Sequence, residues 1–447
     1  MKQKTNFNEK GITIIALIIT IILLLILVGV SINLVIKGNL FGSAEKAVEG
    51  TNDKTAQEQT RVDELMGELD KVEKQQKEQE EAEKQKKLLG KRVTENTKYV
   101  NNGKTAWIPK GFTVSGIKSE QSIDNGLVIY DIPEGITPDW SNPDSVKTKY
   151  NQFVWIPVEV KSTDTENSIA NFYRSAWAEN TATGGERTTG LDANFTEPYS
   201  YDTTNNYDQT IGIANQITEL TKSIYKYGGF YIGRYEAGST TERTDSSSPK
   251  AEFVVQQDKY PYNYIKWGKS MSDVSEGAVY LCNNLYSSTN NNYGATSMLC
   301  TGASWDSMLD FIKDSSHSVT DSTTWGNYSN SETYKIYRGS LNINFTWSTA
   351  NTTTGTDVTK GTSVLLTTGA TERNSSKNIY DVAGNVSEWT TESYSSSSRV
   401  FRGRLLRHQW FLLSSELPRL RRSDQQQLRP HRVSPSTLCK AVSLQAM

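Results

Sequence analysis

Cysteine is nearly absent: Cys282, Cys300 and Cys439 are the three in 447 residues. No disulfide framework can therefore hold the fold together, although one bridge, Cys282 to Cys300, stays open. Histidine is equally scarce. Of three in the chain, His408 and His431 lie close to its end, which argues against a His-based metal centre. Excess positive charge is missing too. Lys and Arg number 48 against 50 Asp and Glu, for a net charge of −2, so nothing electrostatic points to nucleic acid as a partner. What is plentiful is Asn, Ser, Thr and Tyr, a composition suited to an extracellular face. The length suffices for a stalk with one large domain or two small ones.

Charge is absent from Gly11 to Ile36, and Ile12 to Val30 is almost continuously apolar. At about 1.5 Å per residue such a run crosses a hydrocarbon core of roughly 30 Å. A segment in lipid must satisfy its backbone internally, so it is expected as a helix. Lys2, Lys4 and Lys10 against Glu9 place the N-terminus in the cytoplasm and the rest outside. The plain alternative is a cleaved secretory signal, whose apolar region is only about 7–15 residues. Lys10-Gly-Ile-Thr-Ile-Ile-Ala16 resembles the N-terminus of type IV prepilins and pseudopilins. That resemblance implies peptidase cleavage between Gly11 and Ile12, and opens pilin-like assembly as a role. Ala16 stands where the family has the Glu that neutralises a neighbouring subunit's N-terminus. This departure weakens the case for fibre formation and leaves single-pass tethering to the cell membrane. Residues 1–42 are thus a prepilin-like leader and transmembrane helix.

Residues 43–92 carry 13 acidic and 11 basic side chains, with no Pro and no aromatic residue. Val62, Leu65, Leu69 and Val72 follow a 3-4 spacing, but Gln76, Gln79 and Glu83 then occupy the seam. A coiled coil needs three or four apolar heptads. A charged helical stalk acting as a spacer fits better than a dimerising zipper.

From residue 93 the texture turns to Thr, Asn, Gly and aromatics. Residues 93–149 read as a small β-rich connecting segment. Gly126–Tyr130 and Phe153–Val158 read as strands. Ile213, Ile217, Leu220 and Ile224 line one face of a first helix. Met271, Val274, Ala278, Leu281 and Leu285 line a second, and Trp305, Met308 and Ile312 a third. Few helices, many short strands and long polar connections predict an α+β domain with much irregular structure.

Four segments stand out in this domain: Tyr227-Gly-Gly-Phe-Tyr-Ile-Gly-Arg-Tyr-Glu-Ala-Gly238, Pro261–Trp267 with the helix through Cys282, Asn378-Ile-Tyr-Asp-Val-Ala-Gly-Asn-Val-Ser-Glu-Trp389, and Arg399-Val-Phe-Arg-Gly403. They resemble the blocks of the formylglycine-generating enzyme (sulfatase-modifying factor) family, whose fold is a variant of the C-type lectin fold. Their order and spacing match over residues 150–403, with Ser387 where a Trp is usual. The resemblance implies a calcium site whose ligands are the side chains of Asp381 and Glu388 and the carbonyls of Gly384 and Val386. Such hard oxygen donors suit Ca²⁺. The plain alternative is that Asp381 and Glu388 cap turns and pair locally. The family's enzymes hold Cu(I) on a thiolate pair beyond the Arg-Gly-Gly block. There this chain has Cys439 alone, so copper is not expected and no catalytic residue is assigned. Cys282 and Cys300 read as packed thiols or one bridge.

Beyond Gly403 the composition shifts: residues 404–447 have no Gly, Tyr, Asn or Ile but seven Arg and nine Leu. One set of codons for Gln427–Pro435, read a base later, encodes Ser-Tyr-Asp-Arg-Ile-Gly-Phe-Arg-Pro, which holds the Gly-Phe-Arg motif that closes the family. Residues 404–447 are therefore expected to be a frameshifted tail outside the fold. Three functions compete. One is a surface-displayed module that binds an extracellular protein or carbohydrate. The others are an oxidase making formylglycine in sulfatases, and a minor pilin with an adhesive outer domain.

Overall fold

The computed structural model describes residues 44–188 and 212–403, omitting 246–247, 249–250, 270–273, 288–291, 329–330, 342–346, 349–352, 361–363 and 396–397, together with 437–439 and 442–446. The expected membrane span and the Gly11–Ile12 cleavage point lie outside the described residues. Among those described, no helix is long and apolar enough to cross a membrane. The chain divides into two units between Gln79 and Glu80.

Helix α1, Ala44–Leu88, runs for 45 residues. It contains no Pro and is rich in Glu, Lys and Gln, which lose little rotamer freedom in a helix. Lys86 and Lys87 in the last turn complement the negative end of its dipole. Val62, Leu65 and Val72 are each 43–51% exposed, so the short apolar stripe is open to solvent. Gly90, at φ 70°, closes the chain's exit from the helix in the left-handed conformation that Gly takes without strain.

The second unit begins inside this helix. Leu88 and Leu89 pack against its core, and the Gln85 side chain accepts a hydrogen bond from the Val100 amide at 3.1 Å. The last turns of α1 therefore belong to the second unit, which begins at Glu80, inside the expected stalk of residues 43–92.

The strands of this unit that position the site run as follows. A hairpin joins β1 (Thr97–Asn101) to β2 (Lys104–Ile108). Then come β3 (Thr113–Val114), β4 (Val128–Tyr130), β5 (Gln152–Pro157), β6 (Gly229–Gly233) and β7 (Ala295–Leu299). Last are β8 (Ser387–Ser395), β9 (Ser398–Arg402), β10 (Thr437–Cys439) and β11 (Val442–Ala446). Six of these form one antiparallel sheet in the order β7-β11-β6-β5-β4-β3. Residues 93–149 are thus no separate connector: β3 and β4 complete the same sheet as β5.

Alternate residues of the central strands feed two core clusters. Ile129, Phe153, Trp155 and Tyr231 enter one, and Val128, Val154, Ile156, Phe230 and Ile232 the other. Both faces are covered, which explains runs such as Phe153-Val-Trp-Ile156 without polar alternation. Helix α2 (Ile213–Tyr227) lays Leu220 and Ile224 on the second cluster and ends on Gly228, whose amide donates to Ile224 O at 2.7 Å. Helix α3 (Gly277–Leu285) adds Ala278, Val279 and Cys282 to the first. Of the expected face, Met271 lies outside the described residues, and the helix begins at Gly277 after an extended Glu276. Helix α4 (Gly302–Ile312), capped by Thr301 through the Ser304 amide at 2.9 Å, adds Trp305, Met308, Leu309 and Ile312 to the second. Each large apolar side chain so buried contributes about 1.5–3 kcal/mol.

Two described pieces of the tail, residues 437–439 and 442–446, pair with strands of this unit. Strand β11 lies between β7 and β6, with register from Ala295↔Ala446 to Leu299↔Val442 and Leu444↔Tyr231. Strand β10 runs parallel to the start of β8, pairing Ser387↔Thr437 and Trp389↔Cys439.

Candidate functional site

The segment 377–388 folds as a tight chain of turns. Lys377, Asn378, Asp381, Gly384 and Asn385 all take φ between 47° and 83°, a region open to Gly and tolerated by Asn and Asp. Side-chain hydrogen bonds hold each turn. Asn378 Nδ2 donates to Gly126 O at 2.8 Å and Asn125 O at 3.1 Å. Asp381 Oδ2 accepts from the Gly369 amide at 2.8 Å. Asn385 Oδ1 accepts from the Leu366 amide at 2.8 Å, and its Nδ2 donates to Glu236. Gly384 fits because a Cβ there would lie 2.2 Å from Asn327 O.

The four segments singled out in the sequence meet here. Asn385 reaches Glu236 of the first. Trp267 of the second donates its indole N–H to Thr390 O at 2.9 Å, and Trp389 donates in return to Ile265 O at 3.1 Å. Arg399 of the last sits 4.2 Å from the Trp267 ring centroid, and Phe401 packs edge-on to Trp389 at 5.7 Å.

Two buried charge networks brace this junction. In one, Glu392 accepts from Arg174 Nε at 2.8 Å, Arg402 Nε at 2.8 Å and Thr390 Oγ1 at 2.9 Å, while Asp306 pairs with Arg174 and with the Ser175 amide at 2.7 Å. Burial opposes ionisation of Glu392, but the two guanidiniums overcome it and hold the carboxyl at about 2. At Asp306 burial prevails over Arg174, and its carboxyl is raised. In the other network, Arg234 Nη1 contacts Glu120 at 2.7 Å and the Tyr130 hydroxyl at 3.2 Å, with the guanidinium 5.5 Å and 5.4 Å from the ring centroids of Tyr235 and Tyr380. Glu120 is likewise held at about 2: burial is outweighed by Arg234 and Lys147 together with hydrogen bonds from Ser115 and Tyr130.

Two of the expected calcium ligands, Val386 and Glu388, lie beside Gly403. A Cβ placed on Gly403 would lie 3.3 Å from Val386 O, 3.5 Å from Glu388 Oε2 and 3.6 Å from Val382 O. Glu388 Oε2 and the carbonyls of Val386 and Val382 thus lie round the open side of Gly403. Asp381 Oδ2 accepts from the Gly369 amide, and Gly384 lies in the bridge to Asn327, whose bonds run through Ala383 O and the Asn385 amide. The bridge left open between Cys282 and Cys300 is not formed. Both are fully buried thiols in different core clusters, and Cys300 Sγ donates to Thr301 O at 3.3 Å.

Comparison with models of protein families, with curated proteins and with solved structures gives no match to this chain. Residues that sequence reasoning passed over are Arg174, Asp306 and Glu392, which carry no local signal. Glu236, Arg234 and Arg402 lay inside the quoted segments and could have been found there.

Proposed function

We propose that this chain is a membrane-anchored, surface-displayed ligand-binding protein with a non-catalytic domain of the formylglycine-generating-enzyme type. The interlocking of the four segments supports this most. Residues 236 and 385, 267 and 390, and 265 and 389 are bonded across more than a hundred positions each. Their polar groups serve the scaffold and satisfy one another. The described thiols are core packing groups, which leaves the oxidase reading without a paired soft donor in this part of the domain. Fold resemblance by itself implies no activity, so the judgement rests on these groups.

On this reading the apolar segment anchors the chain with its N-terminus in the cytoplasm, α1 spaces the domain from the surface, and the domain binds sugar or protein outside. Tyr, Trp and Asn supply adaptable contacts for such ligands. Treatment of intact cells with external protease is expected to remove everything beyond about Ser43 and, with it, adhesion to a panel of immobilised glycans and matrix proteins. Full protection of the domain, or unchanged adhesion after its removal, overturns the proposal.

A further inference from the structure

We propose that the solvent face of a two-stranded ribbon, Tyr334–Ile336 paired with Thr356–Val358, is a carbohydrate platform. Tyr337 stacks on a pyranose ring there, and the Lys335–Asp357 pair bonds its hydroxyls. This rests on the binding reading above and names its ligand class and its place.

The ribbon is antiparallel, with Tyr334 opposite Val358, Lys335 opposite Asp357 and Ile336 opposite Thr356. Tyr334, Ile336 and Val358 form a small buried cluster with Leu366 and Ala370. Side chains alternate across a strand, so Lys335, Tyr337 and Asp357 take the other face, and all three are exposed. Tyr337 is presented from an anchored stretch. Its amide donates to Ala370 O at 2.9 Å, and the next residue, Arg338, pairs with Asp144. Continuing the register sets Tyr337 opposite Gly355, at φ 74°, which has no side chain to cover the ring.

The chemistry of this strip matches a sugar. The electron-rich face of an aromatic ring attracts C–H groups, and one side of a pyranose offers them. Lys335 Nζ lies 3.0 Å from Asp357 Oδ1, with the two side chains 50% and 60% exposed. An ion pair so exposed adds little to the fold, so its donor and acceptor can turn to the hydroxyls at a sugar's rim. The strip spans three residues on each strand, roughly 10 Å by 5 Å. That holds one or two sugar rings and falls far short of the roughly 800 Å² per partner of a stable protein interface.

The test probes an array of neutral oligosaccharides, with matrix proteins spotted beside them, using the full chain in a detergent without a sugar headgroup. The unaltered chain is expected to bind at least one oligosaccharide. Tyr337→Ala should weaken that binding about tenfold, the loss of one ring contact, and Asp357→Ala should weaken it too. Tyr225→Ala, an exposed ring on α2, should leave it unchanged. Binding to matrix proteins alone overturns this inference and keeps the binding reading; binding to nothing overturns both. Oligosaccharide binding that survives Tyr337→Ala, or falls equally in Tyr225→Ala, overturns the inference alone. If Tyr337→Ala does not reach the native circular dichroism spectrum, Asp357→Ala decides: weakened binding supports the platform and unchanged binding refutes it.

Discussion

Trp267 and Thr390 are joined by a 2.9 Å hydrogen bond from indole to carbonyl across 123 residues of sequence. The same strand, β8, offers the Glu392 carboxylate to Arg174 and Arg402 two residues later. The junction therefore couples the middle of the chain to its late strands through one edge of β8.

Replacing Trp267 by Phe keeps an aromatic ring but removes the donor. The buried carbonyl of Thr390 loses this partner, at a cost of about 1–3 kcal/mol. The expected result is a lower urea midpoint with an unaltered slope. An unchanged midpoint means that the bond contributes nothing to the junction.

Acid should weaken the domain in a defined window. Glu120 and Glu392 are held at about 2, below the ordinary 4.5. A depressed carboxyl adds stability above its unfolded value, and that stability is lost as pH falls towards the folded one. The loss therefore falls between about pH 4.5 and 2, at about 3 kcal/mol per group. Asp131 and Asp306, both raised by burial, act in the opposite sense and make the net slope shallower. Glu392→Gln is expected to flatten the acid limb and to lower stability at neutral pH by about 3–5 kcal/mol, since it leaves the buried Arg174 and Arg402 guanidiniums with Asp306 as the one carboxylate of the network. Urea unfolding across pH measures both; an unchanged acid limb counts against the network.

Deleting residues 437–447 removes β11 from between β6 and β7 and exposes their edges. A clear fall in Tm and a tendency to aggregate are expected. Equal melting of the shortened and full chains indicates that the tail takes no part in the sheet.

Regular elements were legible where local pattern decides them. Ile213, Ile217, Leu220 and Ile224 mark α2, and Gly228 its end, because helical spacing and a left-handed cap are local properties. Phe153–Ile156 were legible as a strand for the same reason. The joining of residues 93–149 to the main sheet was not, since strand partners are set by tertiary pairing. Nor were Arg174, Asp306 and Glu392, which meet only after folding. At the candidate site the resemblance pointed to Asp381, Gly384, Val386 and Glu388; the positive φ of Asp381 and the open side of Gly403 were not legible, because both depend on backbone conformation.

The thiols offer a simple check on the core. Cys282 and Cys300 are fully buried, so neither should react with a maleimide until the domain unfolds, and reductant should leave Tm unchanged. Fast labelling of the native chain at either position contradicts the packing described.

The claim that the domain binds and does not catalyse is tested most directly by mass spectrometry of a peptide bearing the Cys-x-Pro-x-Arg sulfatase motif, incubated with the purified chain, copper and oxygen. The Cys should keep its full mass after prolonged incubation, while a known formylglycine-generating enzyme converts it in parallel. Conversion of the Cys to formylglycine by this chain would make it an oxidase and remove the basis for the binding account.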